Sequence, residues 1–251
     1  MYYYIYDEFV QDQKYEKELL RIENRLADLG LSGDIARLAL FKRADEFIRE
    51  EIRRGVTTIV VVGNDETIYK ILDVITETDL TFGIIPLGPN NHIARSLGIP
   101  EGMLACDVLS ARIVQTIDTG MLNGKRFLAG VRIPETNAEI MCGDGYRVKP
   151  TRKGSIEVCN FTAFLEQDHG QVFSDPQDGF LDAVIRVEYK EGKWFGKKKT
   201  GTTTLPLRSL MIRSREPVIA FADGKEVQGT RFEITVAPLS LKVITGKERM
   251  F

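Results

Sequence analysis

The chain has 251 residues, of which 43% are hydrophobic and 28% charged, the proportions of an ordinary globular protein. Its 34 basic and 36 acidic residues are interspersed and leave a formal net charge of -2, which argues against a general nucleic-acid-binding surface. The three cysteines form no CxxC pair, so a reducing compartment fits better than a disulfide framework or a zinc site.

Membrane insertion and secretion are also disfavoured by the sequence. No apolar run reaches the ~20 residues that a membrane helix requires. The opening residues MYYYIYDEF lack the basic start and the long apolar segment of a signal peptide. We therefore expect a cytoplasmic protein, in which any membrane contact would be peripheral, at the inner surface.

The first 115 residues alternate between strand and helix patterns. Residues 2–6 are aromatic and β-branched and predict a strand. Apolar residues from Tyr15 to Leu29 recur at helical spacing until Gly30 ends the helix. The further predicted elements are a strand in DIARLAL, a helix over 42–54, the strand TTIVVV, a helix with Ile68, Ile71, Leu72 and Ile75, the strand FGIIPLG, and helices in NHIARSLG and MLACDVLSARIV. This alternation predicts a parallel α/β sheet.

From about residue 116 the helical period disappears, and short β-rich runs follow one another. Asn123-Gly124 and Asp223-Gly224 are signals for hairpin turns. We predict an α/β nucleotide-binding-like domain over residues 1–115 and a mainly antiparallel β-sandwich domain over residues 116–251. The last segment of the chain either stays in the second domain or returns to the first.

Two predicted loops combine glycine with small polar residues just before a helix. They are GNDET, residues 63–67, and PLGPNNHIARSLGIP, residues 86–100. Ligands of open parallel sheets bind beyond the carboxyl ends of the strands, and helix starts favour phosphate there. Each loop alone also fits a simple capped helix start, in which Asp65 or Thr67, and Asn91, accept backbone hydrogen bonds. Two such loops at neighbouring strand ends favour a binding site without naming its substrate.

Five segments in order resemble the diacylglycerol kinase catalytic-domain family, the bacterial lipid kinase type that shares its fold with NAD kinases. They are VVVGNDETI, GIIPLGPNNHIARSLGIP, DPQDGFLDAVIRV, PVIAFADGKE and FEITVAPLSLKVI. The resemblance covers most of the chain from residue 57 onward. It implies a nucleotide-binding α/β domain, a β-sandwich domain, and transfer of phosphate from ATP, with Mg²⁺, to a hydroxyl group of a lipid or another small acceptor.

The resemblance also implies roles for individual residues. The family motifs GGDGT and PLGTGND fall on GNDET and PLGPNNH. The implied catalytic residues are Asp65 and Asp223, the second in the family's DGE motif, whose Asp is thought to help activate the acceptor hydroxyl. The acidic motif DPxDGxLD is complete and implies that Asp178 and Asp182 support a divalent ion. The residues implied at the nucleotide are Gly63, Asn64, Glu66, Thr67, Gly88, Asn90, Asn91 and His92.

Four departures from the family pattern bear on the kinase reaction. The first is in GGDGT, where Asn64 and Glu66 replace the inner glycines. The second is in PLGTGND, where Pro89-Asn90 and His92 replace Thr-Gly and Asp. The third is the segment DEFVQDQ, which stands where the family has an Asn-Pro-x-Ser-Gly loop. The fourth is Lys225, at the position of the glutamate of DGE.

The sequence leaves the effect of Glu66 open. A negative charge ~4 Å from a phosphate costs about 4 kcal/mol at an effective dielectric constant near 20, roughly a thousandfold in affinity. That penalty applies only if the side chain of Glu66 faces the phosphates. The side chain could instead point to solvent, or hold Mg²⁺ beside the phosphates.

Two hypotheses about function therefore stay open. One is an active ATP-dependent lipid kinase, and the other is a catalytically impaired ligand-binding or regulatory protein on the same scaffold. A basic segment suits either peripheral contact with an anionic membrane or a solvated hairpin tip; its residues are Lys193, Trp194, Phe195, Lys197, Lys198 and Lys199. A homodimer is also left open, and nucleic acid is not favoured as a partner.

Overall fold

The structure, a computed structural model, describes residues 1–37, 44–143, 145–150, 152–162, 174–190 and 198–251. These residues form two compact units. Unit 1 consists of Met1–Ile117 together with Leu239–Phe251, and unit 2 consists of Asp118–Pro238. The predicted domain limits stay a prediction, because compactness alone does not show that a segment folds independently.

Strands and helices alternate in the described part of unit 1. The strands are β1 (Tyr2–Tyr6), β2 (Gly33–Arg37), β3 (Thr58–Gly63) and β4 (Thr81–Pro86). The helices are α1 (Glu16–Asp28), α2 (Ala44–Arg53), α3 (Asp65–Thr76), α4 (His92–Ser96) and α5 (Ala105–Ala111). Short 3₁₀ turns cover Phe9–Gln11, Gln13–Tyr15 and Gly102–Leu104. Of the predicted strand DIARLAL and helix 42–54, residues 38–43 lie outside the described residues.

The four strands of unit 1 pair in parallel in the order β2-β1-β3-β4. Strand β3 is central and buried along its whole length, as its unbroken apolar sequence predicts. Because β3 and β4 are parallel neighbours, the loops that follow them leave the sheet at the same edge. This arrangement brings the two glycine-containing loops together.

Ten further strands lie between residues 114 and 244 in the described part of the chain. They are β5 (Val114–Leu122), β6 (Lys125–Phe127), β7 (Gly130–Thr136), β8 (Glu139–Cys142), β9 (Arg147–Val148), β10 (Gly154–Cys159), β11 (Leu181–Lys190), β12 (Lys198–Leu207), β13 (Ser209–Ala222) and β14 (Lys225–Ile244). The end of β14 belongs to unit 1, where Lys242 and Val243 pair in parallel with β4.

Strands in unit 2 pair antiparallel, in the order β12-β11-β10-β7, and β13 pairs with β7, β8 and β14. Both predicted hairpin turns form: Asn123 and Gly124 have φ of 48° and 82°, and Asp223 and Gly224 have φ of 47° and 77°. Positive φ at both central residues matches the twist of the flanking strands. The buried side chains that face one another in this unit include Phe127, Ile156 and Phe232.

The predicted fold class is therefore confirmed: an α/β segment with a parallel sheet is followed by mainly antiparallel strands. Among the helices that the structure describes, none combines the length and the apolarity needed to cross a bilayer.

Candidate functional site

The GNDET loop (residues 63–67) and the PLGPNNH loop (residues 86–92) are joined directly by hydrogen bonds in unit 1. The backbone N–H of Asp65 donates to the carbonyl of Asn90 at 3.1 Å, and that of Leu87 donates to the carbonyl of Gly63 at 2.8 Å. The predicted nucleotide residues in these loops therefore lie close together.

Within the GNDET loop, Asn64 caps helix α3. Its side-chain oxygen accepts from the N–H of Thr67 at 3.3 Å, and the hydroxyl of Thr67 accepts from the N–H of Asn64 at 3.1 Å, which forms a capping box. Asn64 has φ of -125° and ψ of -172°, an extended conformation open to any residue. Its tolerance of left-handed backbone, expected from the sequence, is therefore not needed here. Gly63 is different, because a Cβ there would collide with the hydroxyl of Thr67.

Glu66 lies in the first turn of α3, and its side chain is exposed. Among the residues that the structure describes, it forms no ion pair or side-chain hydrogen bond. This exposure fits the orientation toward solvent, and it also leaves the carboxylate accessible to a phosphate or to Mg²⁺ bound over the loop. The three orientations that the sequence leaves open therefore stay open.

Asp65 is the acid that lies inside the loops. Its side chain is 5% exposed, and its two oxygens accept from the backbone N–H groups of His92 at 2.8 Å and Ile93 at 3.1 Å. Burial raises the pKa of Asp65 from 3.8 to about 6, although these two hydrogen bonds act in the opposite direction. The carboxylate of Asp65 therefore occupies the first turn of α4.

The PLGPNNH loop differs in detail from the expected capped helix start. Asn91 does not cap α4 with its side chain; instead its amide donates to the carbonyl of Gly88 at 2.7 Å. The cap expected from Asn91 is supplied by Asp65, which is 26 positions earlier in the sequence and could not be identified from local pattern. Asn90 has φ of 65° and is exposed, as is the side chain of His92.

Asp7, which the sequence did not single out, is buried beneath the GNDET loop. The hydroxyl of Thr67 donates to Asp7 Oδ2 at 2.8 Å, and Lys70 Nζ lies 2.7 Å from the same oxygen. Burial alone would raise the pKa of Asp7, but the hydrogen bonds from Lys70 and Thr67 outweigh it and hold the pKa below its ordinary value. The only signal in the sequence was the acidic character of the segment after β1.

The rest of that segment packs against the PLGPNNH loop. Phe9 and Tyr15 lie in two short 3₁₀ turns and contact each other edge to face, with ring centroids 5.8 Å apart. Gly88 has φ of 85°, and a Cβ there would lie 2.6 Å from Phe9 Cε2. The ring of Phe9 therefore covers Gly88. Phe9 belongs to the segment DEFVQDQ, which stands where the family has its Asn-Pro-x-Ser-Gly loop.

In unit 2, Asp223 is held by three backbone donors. Its Oδ2 accepts from Leu128 N at 2.6 Å, and its Oδ1 accepts from Ala129 N at 2.9 Å and Gly130 N at 3.1 Å. The residue is 8% exposed, and burial raises the pKa of its carboxyl group to about 6 against the effect of these bonds. The carboxylate fixes the start of β7, and its role as a general base stays a prediction.

The acidic segment of unit 2 holds its carboxylates close to one another. Asp178 Oδ1 accepts from Phe180 N at 2.8 Å, and burial followed by repulsion from Asp175 and Asp118 raises the pKa of Asp178. Burial also raises the pKa of Asp182. Carboxylate oxygens are ligands that suit Mg²⁺, and a bound cation would relieve the repulsion between these carboxylates. However, no three His, Cys, Asp or Glu side chains in the described ranges are grouped to hold a metal.

Most of the predicted membrane segment lies outside the described residues, namely Lys193, Trp194, Phe195 and Lys197. Lys198 and Lys199 begin β12, and their backbone pairs with Lys190 and Tyr189. Contact with a membrane stays a prediction.

Known proteins resemble this chain in sequence and in fold. A diacylglycerol kinase of Bacillus subtilis (strain 168) is 28% identical over 133 residues, which cover 50% of this chain and 44% of that protein. A diacylglycerol kinase of Mycobacterium tuberculosis (strain ATCC 25618 / H37Rv) is 31% identical over 81 residues, which cover 32% of this chain and 26% of that protein. The chain therefore spans less than half the length of these curated relatives.

The fold is shared over almost the whole chain. The crystal structure of a diacylglycerol kinase from Bacillus anthracis str. Sterne superposes with a TM-score of 0.79 at 18% sequence identity, covering 99% of this chain and 97% of that one. Residues 2–122, which contain both glycine-containing loops, match the family described as Diacylglycerol kinase catalytic domain. Residues 2–122, just under half of the chain, therefore belong to the diacylglycerol kinase catalytic-domain family.

Proposed function

We propose that this chain is a catalytically impaired member of the lipid kinase family, which keeps the scaffold for binding a ligand or partner. The observation that carries the proposal is the buried contact of Asp7 with Thr67 and Lys70. This contact engages both the hydroxyl of Thr67 in the GNDET loop and the half-exposed ammonium group of Lys70 on α3.

Phosphoryl transfer depends on donors and cations placed around the phosphates. Three backbone donors of these loops already have side-chain partners within the chain. Asp65 occupies the N–H groups of His92 and Ile93, and Asn64 occupies that of Thr67. The phosphates of ATP would have to displace the carboxylate of Asp65 and the amide of Asn64 from these donors, which argues against binding of ATP in this geometry.

Binding of ATP tests this proposal directly. We expect calorimetry to detect no saturable binding of ATP to the natural chain, with or without Mg²⁺. Asp7→Asn keeps the shape of the side chain, removes its charge and releases Lys70, so this variant should gain Mg²⁺-dependent binding. Glu66→Gln is the matched control: it removes a charge from the same loop, but at an exposed position, and should gain nothing. Saturable binding of Mg²⁺–ATP by the natural chain would overturn the proposal.

An active lipid kinase is the second candidate, and the exposure of Glu66 favours it. Because that carboxylate is exposed, it does not itself occupy the backbone donors of the loop. In this candidate Asp223 would be the base, while Asp178 and Asp182 would support Mg²⁺, which neutralises charge on the phosphates. Transfer of labelled phosphate from ATP to diacylglycerol in micelles, abolished in Asp223→Asn, would establish it.

A further inference from the structure

Unit 1 contains an open groove of about 600 Å³, whose lining includes no residue of the GNDET loop (63–67) or of the PLGPNNH loop (86–92). It is bounded by the chain after α4, by one face of α5 and by the C-terminal segment. Its volume lies within the range of roughly 300–1,000 Å³ that is usual for sites of small ligands. Its apolar lining consists of Ile99, Pro100, Val108, Ala111, Ile113 and Met250.

Backbone hydrogen bonds hold the walls of this groove together. Met250 N donates to the carbonyl of Ser96 at 2.9 Å, and Thr245 N donates to the carbonyl of Ile113 at 2.8 Å. Gly246 lies so close to Gly98 that a Cβ on it would collide with the carbonyl of Gly98. The groove is therefore formed before any ligand enters, which reduces the entropic cost of binding.

The charged residues at the groove favour an anion. Arg95 and Lys247 line it, and neither forms an ion pair or side-chain hydrogen bond with another described residue. Asp107 also lines the groove, but Arg25 Nε donates to its Oδ1 at 3.0 Å and neutralises it. Glu248 is the remaining carboxylate in the lining. Arg95 also interacts electrostatically with the carboxylate of Asp65. Arg95 and Lys247 still outnumber Glu248 in the lining, beside an apolar surface.

We propose that this groove binds a small amphiphile with one acyl chain and an anionic head group, either a carboxylate or a phosphate. The apolar walls would cover the chain, and Arg95 and Lys247 would bind the head. Arg95 lies on α4, the helix whose first turn binds Asp65, so the ligand would contact the helix that closes the PLGPNNH loop. The groove is lined by other residues than the GNDET and PLGPNNH loops, and the proposal does not depend on the proposed loss of kinase activity.

The test uses the full chain and decanoate below the concentration at which it aggregates, with binding measured by calorimetry. Ala111→Trp fills the groove from an exposed position on α5, and Ser110→Trp is the matched control on the same helix, outside the lining. We expect one saturable site in the natural chain and in Ser110→Trp, and at least tenfold weaker binding in Ala111→Trp. Met250→Glu, near the exposed C-terminus, should weaken binding to a similar extent.

The head group is tested by changing ligand and protein together. Replacing Arg95 and Lys247 by glutamine should weaken the binding of decanoate several-fold and leave the binding of 1-decanol unchanged. The affinity for decyl phosphate, measured in the same way, shows whether the site prefers a phosphate or a carboxylate head group. Non-saturable uptake of decanoate by the natural chain would overturn the proposal. So would binding of decanoate to Ala111→Trp and Met250→Glu with the affinity of the natural chain. These measurements do not depend on whether the chain binds ATP.

Discussion

The ionisation of Asp65 gives the sharpest prediction about stability. Its side chain is 5% exposed and accepts two backbone N–H groups, so burial and hydrogen bonding act on its pKa in opposite directions. Burial dominates, and the pKa of Asp65 rises from 3.8 to about 6. A shift of about two units corresponds to roughly 3 kcal/mol between the two protonation states.

The sign of the effect follows from proton binding. Because the folded state holds the proton of Asp65 more tightly than the unfolded state, this group supports folding fully below pH 3.8 and loses that support as the pH rises through about 6. Asp65→Asn cannot ionise and serves as the reference. The free energy of unfolding of the natural chain, relative to this variant, should therefore fall by roughly 3 kcal/mol between pH 4 and pH 8.

Chemical denaturation at a series of pH values measures this difference, and the carboxyl ¹³C chemical shift of Asp65 gives its pKa directly. A difference that stays flat, or that grows as the pH rises, would contradict the raised pKa of Asp65. It would mean that the N–H groups of His92 and Ile93 stabilise the carboxylate by more than burial costs it.

Three further predictions concern contacts of the two loops and of β7. Asp223→Asn should destabilise by about 1–3 kcal/mol in denaturation, because its amide N–H₂ would face the N–H of Leu128. Gly88→Ala should cost about 1–3 kcal/mol, since its φ is 85° and its Cβ would lie 2.6 Å from Phe9 Cε2; Phe9→Ala in the same chain should recover part of this loss. Asn64→Ala should cost about 1 kcal/mol through the lost cap of α3, whereas an equal loss in the exposed control Glu66→Ala would contradict the assignment of the cap.

Much of the fold follows from local sequence. The apolar run of β3 and the turn at Gly63 predict a central strand that ends in a loop, and Asn123-Gly124 predicts its hairpin. These features depend on residues that are neighbours in sequence. The exposure of the Glu66 side chain could not be predicted from neighbouring residues, because it depends on how α3 packs.

The contacts that define the candidate site are not local. Asp7 meets Thr67 across 60 positions, and Asp65 meets His92 across 27. Both contacts require β1, β3 and β4 to lie side by side in parallel. The strand pattern predicts a parallel sheet, but not which strands are neighbours in it. The sequence therefore indicated which loops form the site, but not that the chain's own carboxylates occupy their donors.

We propose that the chain lacks kinase activity because Lys70 and the N–H groups of Thr67, His92 and Ile93 are engaged within the chain. The most direct test is transfer of labelled γ-phosphate from ATP to diacylglycerol in mixed micelles by the natural chain, with Asp65→Asn as the blank. We expect the natural chain to transfer no more label than Asp65→Asn, with or without Mg²⁺. Mg²⁺-dependent turnover by the natural chain would contradict it and establish an active lipid kinase.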